Sequence, residues 1–198
     1  MKAILIFATM AMASLQANAV GPVEYVDQAF SNIVNVIKTG NEAQRINTMC
    51  RMAKQTVGID YVTQQVLGAY ANSGEQKSIQ DFKELIPSVV VTAMESVTKY
   101  LGAGYKLDPV TLPRGSQSKG VRMDLEVSKS GNVLKMIIVV TKLGGGWKIT
   151  NVESVSYSRN MLKEKKSEYA KIMASTRNAP VGTLVDAIRA DRELVRCR

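Results

Sequence analysis

Val121-Arg122-Met123-Asp124-Leu125-Glu126-Val127-Ser128 alternates apolar and polar side chains without a break. As a strand it therefore carries one greasy face and one charged face. After the turn signal Gly131-Asn132, the run from Val133 to Leu143 is apolar on both parities over much of its length, until Thr141 and Lys142. At least part of that second strand is buried on both sides. Such a sheet needs a cover, and the space between sheet and cover is either a packed core or a pocket for an apolar ligand.

Working outward, four strands are predicted at about Tyr105 to Thr111, Val121 to Ser128, Val133 to Leu143 and Trp147 to Val155. Ser130-Gly131-Asn132 and Gly144-Gly145-Gly146 join the last three as an antiparallel meander. Ahead of the sheet lie amphipathic stretches at Pro22 to Lys38, Asn41 to Val57 and Tyr61 to Tyr70, punctuated by Gly40, Gly58 and Asn72-Ser73-Gly74. The longest helix starts near Glu75 and carries its apolar stripe to Leu101, with Pro87 inside it. That proline removes a donor and crowds the preceding turn, so a kink or split is expected there. Helices close the chain from Ser158 to Ser175 and from Val181 to about Leu194. Helices, then sheet, then helices is an α+β arrangement: a four-stranded antiparallel sheet covered by helices.

Periodicity assigns the facing side chains. Met123, Leu125, Met136, Ile138 and Ile149 should look toward the helix layer, with Phe82, Val89 and Val97 opposite and Ala93 one turn after Val89. Met94, Met123, Met136 and Met161 supply unbranched, polarizable side chains that suit either a plain core or a pocket of variable content.

The first nineteen residues read as an export signal. Lys2 is a minimal positive start, Ala3 to Leu15 an apolar core, and Ala17-Asn18-Ala19 a cleavage site before Val20. The rest, residues 20–198, reads as one domain of a size that can bury a core. Removing the signal takes away one lysine and no acid, so the formal charge of +9 becomes +8. Export argues against nucleic acid as the partner, and the positive charge suits an anionic membrane surface or an acidic protein.

The 198 residues contain no histidine. Ser-His-Asp and Cys-His catalysis and the usual zinc constellations are thereby excluded, and no cofactor or metal is expected. Asp124 and Glu126 share a strand face and read as a solvated surface rather than an acid/base pair. An oxidising compartment permits Cys50 and Cys197 to bridge; a helix cysteine and a free tail thiol fit the sequence equally well.

Some segments resemble a known family. Val66-Leu67-Gly68-Ala69-Tyr70, followed by Glu75-Gln76 and by Phe82, Val89 and Tyr100 along the next helix, is similar to the MlaC (toluene-tolerance) group of periplasmic phospholipid-binding proteins. Trp147-Lys148-Ile149-Thr150-Asn151-Val152 resembles that family's tryptophan strand, Glu153-Ser154-Val155-Ser156 its following turn, and Thr183-Leu184-Val185 with Ile188 its terminal helix. The likeness spans roughly Val57 to Arg189. Ser154 stands where the family usually has glycine and Asn151 where it has aspartate. The resemblance implies that the four-stranded sheet is curved and wrapped by helices around an apolar pocket, in a non-enzymatic lipid carrier whose pocket is also lined by Leu67, Tyr70, Tyr100, Val127, Val140 and Trp147. It further implies traffic between an outer-membrane lipoprotein complex and an inner-membrane ABC transporter with an MCE-family component. The rival readings are a non-catalytic adaptor with a filled interior and a small enzyme on a cone-shaped α+β fold.

Overall fold

A computed structural model describes residues 20–39, 41–98, 104–112, 117–126, 133–176 and 178–197; for 36–39 and 96–98 only the backbone is described. The expected signal and the Ser130-Gly131-Asn132 turn lie outside these residues, as do Tyr100 and Val127 and the side chain of Val97.

Four helices come first: α1 (Pro22–Thr39), α2 (Glu42–Thr56), α3 (Ile59–Leu67), which runs into a 3-10 turn at Gly68–Asn72, and α4 (Gln76–Thr98). In α1 the buried positions Val26, Ala29 and Ile33 recur at helical steps, which turns one stripe inward. A capping box starts α2: Gln44 N–H donates to Asn41 Oδ1 (2.9 Å) and Asn41 N–H to Gln44 Oε1 (3.2 Å). Pro87 does not split α4, which continues from Gln76 to Thr98.

The sheet that follows is an antiparallel meander in the order β1 (Tyr105–Val110), β2 (Ser118–Glu126), β3 (Val133–Leu143), β4 (Gly146–Ser154) and β5 (Arg159–Asn160). Val121 pairs with Ile138 and Met123 with Met136, so the buried parities of β2 and β3 share one face. On the opposite face Arg122 bridges Asp108 (2.7 Å) and approaches Asp124 (3.5 Å), while Glu126 stays exposed. The β3–β4 turn needs Gly144 and Gly145, whose φ values of 56° and 86° belong to the left-handed region that glycine tolerates.

The expected four strands are five, because two residues, Arg159–Asn160, pair with Glu153 and Ser154. For the same reason α5 (Met161–Ala174) begins three residues later than expected, with Asn160 as its cap: Lys163 N–H donates to Asn160 Oδ1 (2.9 Å). A register shift between Val139 and Val140 interrupts the β3–β4 ladder. Just before α3, Val57 bridges Ile149 and Gly58 N–H donates to Ile149 O (2.9 Å), so two separate segments dock along the outer edge of β4.

The last helix, α6 (Pro180–Ala190), packs on α4 and α5. Glu75 caps it from a distance, accepting from Val181 N–H (3.2 Å) and Gly182 N–H (3.0 Å). It stops at Ala190, short of the expected Leu194, because the tail turns back along α4. Val195 N–H donates to Thr92 Oγ1 (2.9 Å) and Cys197 N–H to Ser88 Oγ (3.1 Å). Cys197 is then within reach of Cys50 on α2, and the two form a disulfide with Cα atoms 5.4 Å apart.

Candidate functional site

The sheet and the helix layer do not close on each other everywhere. Tyr105 at the start of β1 holds α1 down: its hydroxyl lies 2.8 Å from Ser31 Oγ and donates to Asp27 Oδ1 (2.9 Å), and its ring tilts against Phe30 at 6.4 Å. Helix α1 accordingly packs on β1 and β2, whereas β4 is contacted by α2, α3 and α5. Between those two contact zones lies a cavity of about 230 Å³. A void that holds one water needs only about 10–15 Å³, so this space is a chamber rather than a packing fault.

Its wall is hydrocarbon and thioether. Helix α4 contributes Phe82, Ile86, Val89, Val90, Ala93 and Met94, one face of successive turns. The sheet floor is Met136, Ile138, Ile149 and Val152. Ala29, Phe30 and Ile33 come from α1, Met49, Met52 and Ala53 from α2, Val62 and Val66 from α3, and Met161 and Leu162 from α5. Polar side chains enter the wall at Thr56, Thr150, Asn151, Lys165 and the phenol of Tyr169. Phe82 and Tyr169 meet edge to face, centroids 6.0 Å apart. Burial, with the nearby charges of Glu168 and Asp191, raises the Tyr169 phenol well above its ordinary pKa, so it stays protonated. Burial alone pushes Tyr25, whose hydroxyl donates to Thr56 O (3.2 Å), up to about 12.

Of the side chains assigned to a lining from sequence, Phe82, Val89, Ala93, Met136, Ile138 and Ile149 meet in this wall. Met123, Leu125 and Val140, each 0 % exposed, and Leu67 at 2 % lie in the surrounding core instead. Met123 and Leu125 sit on β2, where α1 packs down. Tyr70, on the 3-10 turn, is part-buried against the core. Trp147 is also outside the wall; its indole N–H donates to Val20 O (3.0 Å) and Lys142 Nζ stands 5.9 Å over its ring. The lining side chains of α1, α2 and α3 are not among those assigned from sequence, although the apolar stripes of these helices are readable there.

An apolar chamber of this composition can solvate hydrocarbon. Among the described residues no cluster of histidine, cysteine, aspartate and glutamate could hold a metal ion, and no helix is long and apolar enough to cross a membrane.

Comparison with known proteins gives the fold a context. The crystal structure of a phospholipid-binding protein from Ralstonia solanacearum in complex with a phospholipid superposes with a TM-score of 0.66. The two are 15 % identical, and the match covers 86 % of this chain and 96 % of that one. No curated protein sequence matches this chain significantly. The family model described as MlaC protein matches residues 24–190, and the chain therefore belongs to the MlaC family.

Proposed function

We propose that residues 20–198 form a single lipid-binding domain that works in the periplasm as a non-catalytic phospholipid carrier. It moves lipid between an outer-membrane lipoprotein complex and an inner-membrane ABC transporter with an MCE-family component. The observation that carries this reading is the hydrocarbon wall around a cavity of about 230 Å³, in a fold shared with a protein whose structure was solved in complex with a phospholipid. Binding acyl chains there needs only burial of apolar surface, worth about 0.8 kcal/mol per methylene. No acid, base or nucleophile has to take part.

Filling the chamber tests the reading. Ala93 lines it from α4, so Ala93→Trp puts an indole where lipid would lie. We expect wild-type protein to carry phospholipid in native mass spectra and Ala93→Trp to lose it. In a filled interior the same change would cost about 1–3 kcal/mol through overpacking. Delipidated wild type and variant should instead unfold within about 1 kcal/mol of each other, at or below the low end of that overpacking range. A difference of several kcal/mol, or a wild type that never holds lipid, would replace the carrier by an adaptor with a closed core.

A further inference from the structure

Helix α5 turns a row of side chains spaced four apart toward the chamber: Met161, Lys165 and Tyr169. Exposure falls along the row from 37 % at Met161 to 5 % at Tyr169. Those two positions are separated by about 12 Å of helix. The N-terminal end of α5 is thus the wet end of this wall and Tyr169 the dry end.

Between them stands a lysine, the one charged side chain in the wall among the described residues. Its side chain is 38 % exposed, and its ammonium lies 2.7 Å from Glu168 Oε2 and 5.3 Å from the centre of the Tyr169 ring. The methylene stem follows the apolar wall while the charge reaches toward water.

Three other polar side chains of the wall, those of Thr56, Thr150 and Asn151, are committed inside the protein. Thr56 Oγ1 donates to Met52 O (2.8 Å), and the Thr150 hydroxyl is 2.8 Å from that of Thr141. Asn151 donates to Glu153 (3.1 Å) and accepts from Leu162 N–H (3.0 Å). Lys165 differs, because its partner Glu168 is itself 51 % exposed and three residues along the same helix. Such surface pairs are weak and readily exchanged, and an ammonium has three N–H bonds to share.

We infer that Lys165 is the head-group residue of the chamber. With acyl chains in the cavity, its ammonium turns from Glu168 to the lipid's phosphate. The protein therefore prefers glycerolipids that carry an anionic phosphate over neutral glycerolipids with the same chains. This rests on the carrier reading above and adds a residue and a head-group chemistry to it.

The test is competition on delipidated full-length mature protein between dioleoylphosphatidylglycerol and dioleoylglycerol, with the bound ratio read by native mass spectrometry. Wild type should favour the phosphatidyl lipid. Lys165→Met keeps the stem and removes the charge, and should lower that ratio about tenfold, the size of one charge-assisted hydrogen bond, while dioleoylglycerol uptake holds. Lys165→Arg should restore most of the preference, and Glu168→Gln, which removes the competing carboxylate, should raise it. An unchanged ratio in Lys165→Met, or equal loss of both lipids, overturns the head-group role and leaves the carrier intact. Uptake of neither lipid by wild type overturns both.

Discussion

Removing the Cys50–Cys197 bridge should unfold the protein far more easily, by an amount set by the length of chain it closes. The two residues are 147 apart in a chain of 198, so the bridge closes about three quarters of the unfolded chain into a ring. Loop-closure entropy for a ring of that size corresponds to about 5 kcal/mol at 25 °C. Removing a native bridge typically costs about 2–5 kcal/mol, so about 3–5 kcal/mol is expected for Cys50→Ala/Cys197→Ala with a ring this long. The tail bonds to Ser88 and Thr92 should loosen with it, since the bridge holds the strand that makes them. For a domain of this size the loss corresponds to a fall in Tm of about 6–20 °C. Urea unfolding followed through Trp147, the single tryptophan, reads it directly. Because the constraint acts on the unfolded chain, the dependence of free energy on urea should also steepen in the double variant as that chain expands. A change below about 1 kcal/mol would refute the entropic account, since a ring of this length cannot be so weakly felt unless the unfolded chain stays compact.

Two further changes probe the packing around the chamber. A Cβ at Gly58 would stand 3.0 Å from Leu143 Cδ1, 3.2 Å from Thr150 Cγ2 and 3.4 Å from Lys148 Cβ, while the hydrogen bond to Ile149 holds the backbone in place. Gly58→Ala should therefore cost about 1–3 kcal/mol of overpacking, and a denaturation midpoint equal to wild type would contradict it. Tyr25 titrates near 12 in the fold against 10.0 ordinarily, so the folded state keeps a proton that the unfolded chain releases in that interval. Stability should be intact below pH 10 and fall as pH rises toward 12, less so in Tyr25→Phe. Urea midpoints at pH 9 and pH 11 for both proteins check this; an equal fall in the two assigns the effect elsewhere.

What could be read from the chain follows the range of the forces that decide each feature. Alternation at Val121, Met123 and Leu125 is local, and all three are 0 % exposed on one sheet face. The stripe through Phe82, Val89 and Ala93 is equally local and does face the cavity. Whether an inward side chain meets the chamber or the core depends instead on where a distant helix comes down. Met123 and Met136 are cross-strand neighbours, yet only Met136 is in the wall, because α1 is pinned over β1 and β2 by Tyr105. No periodicity encodes that pin, made by residues 74 and 78 apart in sequence. Two-residue β5 is too short to leave a pattern, and Lys165 is masked because a lysine four residues from its neighbours reads as part of a solvated face. The resemblance to a family identified the fold from the order of weak motifs, where no single one would have done so.

The two segments docked along β4 bear on how this protein behaves when crowded. A strand margin with free N–H and C=O groups is a template for a neighbouring chain, and a protein with a hydrocarbon interior is a poor candidate to leave one open. Val57-Gly58 occupies the margin of β4 at Ile149, and β5 occupies it at Glu153 and Ser154. On the opposite margin, β1 carries Pro109, which has no N–H to offer, and Lys106, whose side chain is 75 % exposed. A second copy approaching at these positions meets a covered, charged or donor-less backbone. These covered and interrupted margins disfavour strand-to-strand growth between identical molecules at high concentration.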